Sequence, residues 1–223
     1  LAEPACWRWQ THPTRTAWYD SARLFRQGPG EGWPPVFNSM AALLANQVRP
    51  WCVAGGVLTA DECDAVLAFA QAGNWARGRL AGGGVDESHR ACDQIEIDPT
   101  HPALAWLFER LAPLAQEAAA ALGLDLQGAL REAPIIVRYR AGEHFAWHAD
   151  DHGEGLRALS VTIQLTGPEA YDGGALKVMA PSGAQHVTAP AERGVAAFFP
   201  STNLHTVTPV SRGERAALVV WIA

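Results

Sequence analysis

Nine consecutive residues, His144-Phe145-Ala146-Trp147-His148-Ala149-Asp150-Asp151-His152, hold three imidazoles and two carboxylates. Such a density of donor groups is what a metal site needs. Two geometries compete. On a helix, His144, His148 and His152 fall at i, i+4 and i+8 and share a face. A zinc-protease helix further requires Glu directly after the first histidine as general base. Phe145 stands there instead, and Gly142 and Gly153 bracket the segment. On a strand, side chains alternate, so Phe145, Trp147 and Ala149 point one way and His148 and Asp150 the other. We adopt the strand. An imidazole and a carboxylate on one face make two of the three protein ligands of the facial triad that binds non-haem Fe(II) and leaves positions open.

The third ligand must come from elsewhere, and His205 in "FPSTNLHTVTPV" is the candidate. A lone histidine beside Leu204 and Val207 is ordinarily a hydrogen-bonded core residue; the upstream His148-x-Asp150 favours a ligand. A turn at Arg212-Gly213 then leads into "RAALVVWI", apolar at nearly every position, as in a strand covered on both faces. Arg215, Ala217, Val219 and Trp221 share one face of it. An unpaired buried charge is costly, and a guanidinium matches a carboxylate through two parallel hydrogen bonds. Arg215 is therefore a candidate carboxylate binder, unless, just past the turn, it reaches solvent or pairs with a nearby acid. Asp151 and His152 are read as solvated at the strand end, with hydrogen bonding to the metal ligands as the alternative, and His144 as a surface residue.

These groups need elements to position them. Thr59-Ala60-Asp61-Glu62 is a capping box that opens a helix over 59–72. Asp98-Pro99-Thr100 opens a second helix over 100–122, which Pro113 should kink or split. From Pro134 the chain changes character. "PIIVRY", "ALSVTIQL", "GALKVM", "HVTA", "GVAAFF" and the segments already quoted are short, rich in β-formers and separated by glycine turns, which suggests a sandwich or barrel over 134–223. The expected class is α+β, with early helices flanking an all-β half. Residues 1–50, with Trp7, Trp9, Trp18, Trp33 and several prolines, read as an extension packed on the main domain, 51–223.

Composition limits the alternatives. A chain of 223 residues that is 48% hydrophobic and 18% charged suits a soluble globular domain. A net charge of −6 argues against a nucleic-acid partner. No apolar run approaches the ~20 residues of a membrane span. "LAEPACWRWQ" has no signal-peptide character. Cys6, Cys52, Cys63 and Cys92 are then expected as free thiols in a reducing cytoplasm.

The joint pattern resembles the Fe(II)/2-oxoglutarate-dependent dioxygenases, in the prolyl-4-hydroxylase-like branch that includes the PKHD-type hydroxylases. "RYRAGEHFAWHAD" is similar to the family's first motif, "YDGGALKV" to its Gly-Gly turn, and "FFPSTNLHTVTPVSRGERAALVVWI" to its closing motif. The resemblance runs from about residue 50 to the C-terminus. It implies a double-stranded β-helix, or jelly roll, with helices outside. It implies Fe(II) held by His148, Asp150 and His205, with 2-oxoglutarate and O2 as co-substrates. Arg215 would clamp the far carboxylate of 2-oxoglutarate. Tyr139 lies where relatives place a hydroxyl near the co-substrate, and Gln164 where some supply a tyrosine. Phe145 departs from the tyrosine that many prolyl hydroxylases carry three residues before the first histidine. A carboxylate at Asp150 favours hydroxylation over halogenation, with desaturation and ring formation left open. The implied substrate is an amino-acid side chain, free or in a peptide or protein, with proline first. Arg90 and "LAGGGVDESHR" are read either as a lid over that substrate or as a plain loop. Two rivals stay open at this point: a jelly roll that senses metal or 2-oxo acid, and a cupin-like O2-dependent enzyme that does not use 2-oxoglutarate.

Overall fold

A computed structural model describes residues 24–45, 51–80, 83–128, 130, 132–151, 155–180 and 185–223, with only the helical backbone at 41–45. Trp7, Trp9, Trp18, Cys6 and His152 lie outside the described residues. The chain divides into two compact units, Leu1–Val48 and Arg49–Ala223. The first contains helix α1 (Pro34–Ala45), entered by Trp33, whose ring packs 6.1 Å from that of Phe37.

The second unit starts with β1 (Cys52–Ala54) and helix α2 (Ala60–Gln71). Thr59 caps α2: its hydroxyl accepts from the Glu62 N–H, and the Glu62 carboxylate accepts from the Thr59 N–H. Strands β2 (Ala76–Arg77), β3 (Arg90–Ala91) and β4 (Asp93–Glu96) lead to helix α3 (Ala105–Leu122). This helix begins later than the expected residue 100. Asp98 accepts from the backbone and hydroxyl of Thr100 and so closes a turn there instead of capping a helix. Nor does Pro113 split α3: it is exposed, so the carbonyl of Glu109 that it leaves unbonded faces water.

Nine strands follow α3: β5 (Ile135–Arg140), β6 (His144–His148), β7 (Leu159–Gln164), β8 (Tyr171–Gly173), β9 (Leu176–Met179), β10 (His186–Thr188), β11 (Ala196–Pro200), β12 (His205–Val207) and β13 (Val210–Ile222). Among the described residues they form two sheets. The larger runs β1-β11-β7-β13-β5-β4-β2, with β8 on the leading end of β13. The smaller runs β10-β9-β12-β6-β3. All of the neighbours are antiparallel, the arrangement of a jelly roll. Arg212 and Gly213 do not form the expected turn. They lie inside β13, paired with β8, where Gly213 takes a φ of +76°. A Cβ there would stand 2.0 Å from the Ala170 carbonyl, so the close approach of β8 needs glycine.

The larger sheet separates two environments by strict alternation. Val161 and Ile163 of β7 and Leu218, Val220 and Ile222 of β13 pack against α2 and α3. The alternate residues face inward. On β13 these are Arg215, Ala217, Val219 and Trp221, all of which line one cavity. On β7 they are the buried polar residues Ser160, Thr162 and Gln164. Among the described residues no helix is long and apolar enough to cross a membrane.

Candidate active site

His148 ends β6 and His205 opens β12, and the two are direct partners across the ladder. Their rings lie 4.1 Å apart. Asp150 follows β6 by two residues; its backbone N–H donates to the Ser201 carbonyl, which turns its side chain between the two imidazoles. Its Oδ1 is 3.7 Å from His148 Nε2 and its Oδ2 is 3.5 Å from His205 Nε2. All three side chains are largely buried.

The hydrogen bonds set the tautomers. His148 Nδ1 donates to the Ala146 carbonyl at 2.8 Å and His205 Nδ1 to the Asn203 carbonyl at 3.0 Å. With Nδ1 committed to a carbonyl, each ring turns its Nε2 toward Asp150. Burial, reinforced by the neighbouring imidazole, pushes His148 down to about 3 against the pull of Asp150, so the ring is neutral. Burial works to raise Asp150. The two imidazoles and the Ser160 hydrogen bond, with a smaller pull from the nearby Trp221 indole N–H, outweigh it and hold the carboxyl below its usual range. Ser160 donates to Oδ2 at 2.7 Å, while the Trp221 indole N–H approaches without completing a hydrogen bond. Two imidazole lone pairs and one carboxylate converging on one point fit a divalent metal of the Fe(II) type.

The triad opens onto a cavity of about 730 Å³. Arg215 lies on its wall, 2% exposed, and has no acidic partner among the described residues. Its Nη2 donates to Gln164 Oε1 at 2.9 Å, and its guanidinium lies 5.7 Å from the Tyr139 ring. Tyr139 is its direct partner across β5 and β13, and burial pushes the Tyr139 phenol up. Buried cations are otherwise paired, so the cavity is built for an anion.

Alternation along β6 fails at one point. The pairings His205 with His148 and Val207 with Phe145 leave an extra residue on β6, a bulge. Phe145 was expected to face away from His148. The bulge brings it to the same side, its ring stacked 3.4 Å from the His148 ring. Trp147 is turned outward and is 40% exposed. Asp151 also corrects the expectation. It is buried, and its carboxylate accepts from the backbone N–H groups of Gly155, Leu156 and Arg157. These bonds tie Asp151 to the backbone of residues 155–157.

Sequence reasoning missed several residues. Arg157 donates from Nη1 to the Asp150 carbonyl and from Nε to Glu132, and its guanidinium lies 4.5 Å from the Trp221 ring. Ser160 links Asp150 to Ser201. The alternation of polar and apolar residues in "LSVTIQ" was their available signal, since a fully buried strand has no solvent face to make polar. Arg90, on β3, lines the cavity beside Phe145. Residues 81–82 of the glycine-rich loop before it lie outside the described residues.

Comparison with known proteins gives the same answer. The family model of the 2OG-Fe(II) oxygenase superfamily matches residues 134–223. A PKHD-type hydroxylase of Bordetella pertussis is 31% identical over 177 residues, 74% of this chain and 75% of the relative. One of Xanthomonas campestris pv. campestris is 32% identical over 180 residues, again 74% and 75%. A prolyl-4-hydroxylase of Pseudomonas putida shares the fold, with a TM-score of 0.64 at 23% identity over 84% of this chain and 99% of that one. The converging donor set, the buried guanidinium and these similarities agree: the chain belongs to the 2OG-Fe(II) oxygenase superfamily, with the PKHD-type hydroxylases, and is an enzyme that uses Fe(II), 2-oxoglutarate and O2.

Proposed function

We propose that His148, Asp150 and His205 hold the Fe(II), that Arg215 with Gln164 and Tyr139 receives the 2-oxoglutarate, and that the enzyme hydroxylates an amino-acid side chain. The observation that carries this is a buried guanidinium with no acid partner among the described residues, facing the same cavity as three convergent donor side chains. When bound, the iron centre supplies the oxidising chemistry: one O2 is consumed, 2-oxoglutarate leaves as succinate and CO2, and one oxygen atom enters the substrate C–H bond. The chain positions and protects. Arg215 offers two N–H donors to a carboxylate in a site of low dielectric. Ser160 and Arg157 fix Asp150 from the side chain and the backbone carbonyl respectively. Phe145 and Trp221 form apolar walls that exclude water around the reacting atoms.

The substrate is read as a peptide or protein side chain, with proline first. Two solved relatives of the fold support this. A prolyl hydroxylase from Trichoplax adhaerens was solved with a hypoxia inducible factor peptide fragment, and a viral collagen prolyl hydroxylase with 2OG. A cavity of about 730 Å³ has room for a 2-oxo diacid and one side chain together. Residues 51–223 are read as the Fe(II)/2-oxoglutarate dioxygenase domain and residues 1–50 as an extension to it. Among the described residues Cys63 and Cys92 are free thiols, which suits a reducing cytoplasm.

The test is an anaerobic titration of the apo-protein with Fe(II) and then 2-oxoglutarate, followed by visible absorbance. A weak charge-transfer band that requires both is expected, and Arg215→Gln should need far more 2-oxoglutarate to produce it. Iron binding with no band at any 2-oxoglutarate concentration would remove the co-substrate assignment.

A further inference from the structure

The arginines of the second unit divide by location. Among the described residues six lie off the main cavity, Arg77, Arg110, Arg138, Arg140, Arg193 and Arg212, and each is paired with a carboxylate. Four line the cavity. Of these Arg157 is paired with Glu132. Arg79, Arg90 and Arg215 have no acidic partner among the described residues. Cations without an acid are thus confined to the walls of one cavity, in a chain whose net charge is −6. With 2-oxoglutarate as the anion for Arg215, the charges of Arg79 and Arg90 remain.

Arg90 is held in place. Its Nε donates to Cys92 Sγ at 3.3 Å and its Nη1 to the Arg79 carbonyl. Its guanidinium lies over the Phe145 ring, 4.7 Å from the centroid. Arg90 and Phe145 are direct partners across β3 and β6, so this contact follows from the register. Gly78 leaves the room: a Cβ there would stand 2.9 Å from Arg90 Nε and 2.5 Å from Cys92 Sγ. Nη2 has no acceptor among the described residues. A guanidinium already immobilised, with one edge unused, gives up little further freedom when it binds an anion. The Phe145 ring in turn lies 3.4 Å from the His148 ring, so the cation is within about 8 Å of that imidazole. One or two residues span such a distance, at roughly 3.5 Å each.

The neighbouring strand is unfinished as well. Gln94 on β4 lines the same cavity, and its buried Oε1 accepts no hydrogen bond among the described residues. A buried acceptor is costly unless something donates to it. Between Arg90 and Gln94 the chain passes from the smaller sheet to the larger, since β3 pairs with β6 and β4 with β5. One short crossing therefore offers the cavity both a cation and an acceptor for an N–H.

We infer that Arg90, with Arg79 beside it, selects a substrate that carries a carboxylate within two residues of the carbon to be oxidised. The sources of that group are the α-carboxylate of a free amino acid and the acidic side chain of a neighbouring residue in a peptide. Arg90 determines specificity and takes no part in the oxidation. The inference rests on the reading of this cavity as the site of Fe(II) and 2-oxoglutarate, and it narrows the substrate class of that site.

Binding to the full chain tests it without turnover. The protein is loaded anaerobically with Mn(II) and 2-oxoglutarate and titrated by calorimetry with matched probes. Free L-amino acids are compared with their carboxamides, and acetyl-X-Asp amides with acetyl-X-Asn amides, X running through the common side chains. In the pairs that bind, the carboxylate member is expected to bind about tenfold or more tightly. A preference in the first set assigns the α-carboxylate, and one in the second set an acidic neighbour. Arg90→Gln should bring the carboxylate member down to the level of its neutral partner. Arg90→Lys keeps the charge and should retain part of the preference, which separates loss of the cation from damage to β3. Equal binding within the pairs, a preference that survives Arg90→Gln, or no binding by any probe overturns the inference. If Arg90→Gln and Arg90→Lys lose the neutral probes as well, Arg90 is structural and the inference is again overturned. A wild-type protein that takes up no 2-oxoglutarate in the loading step overturns the underlying reading instead.

Discussion

Ser160 is completely buried, donates to Asp150 Oδ2 and shares a second hydrogen bond with Ser201. A hydroxyl in that position holds the carboxylate in one rotamer and leaves Oδ1 to face the open side of the site. Outer hydrogen bonds to metal-binding carboxylates typically contribute about 10- to 100-fold in metal affinity. Ser160→Ala should therefore weaken Fe(II) binding about tenfold in a chelator competition. The affinity for 2-oxoglutarate at saturating metal should stay nearly unchanged, because Arg215 and its neighbours are untouched. Phe145 teaches a related lesson at this scale. Its type was visible in the chain, yet its stacking on His148 depends on a bulge that no residue in "HFAWH" announces.

At the scale of elements, strand pairing places charged residues as deliberately as apolar ones. Asp93 on β4 accepts from Arg77 on β2 at 2.9 Å and from Arg138 and Arg140 on β5 at 3.0 and 2.8 Å. Burial alone would raise its pKa; the three guanidiniums outweigh burial and hold it below the usual carboxylate range. A folded pKa below the unfolded value means that the contribution is complete above roughly pH 4 and is lost as pH falls through the folded value. Arg77 and Arg140 are 34% and 48% exposed, so water screens the cluster. Asp93→Asn should cost about 1–2 kcal/mol at pH 7. It should also flatten the loss of stability on acidification below pH 4, as read by urea denaturation at a series of pH values.

The whole molecule separates support from chemistry. One face of the larger sheet packs on α2 and α3 through a purely apolar cluster, and the other face carries the site. Among the described residues both apolar clusters consist of residues from Trp51 onward. A domain with its own core can fold alone. A fragment of residues 49–223 is accordingly expected to fold cooperatively and to bind Fe(II) within about threefold of the full chain, an estimate from the independence of separate domains. Loss of cooperative thermal unfolding in that fragment would show that the first unit is required.

What the sequence determined by itself was chemical: a His148-x-Asp150 pair, a distant His205, and Arg215 ten positions later, a pattern that pointed to iron and a 2-oxo acid through its resemblance to a known family. These survive the step to structure because period-two alternation on short strands is a local property. Tertiary structure decided what depends on pairing between distant strands. The β6 bulge moved Phe145 into the site. The passage of β13 through Arg212-Gly213 brought β8 alongside and set Tyr171 against Gln164. Asp151, expected in solvent, became a buried acceptor for the backbone of residues 155–157. A one-residue change in register is invisible in the chain because every strand segment keeps its own pattern; only the partner strand says which residues meet.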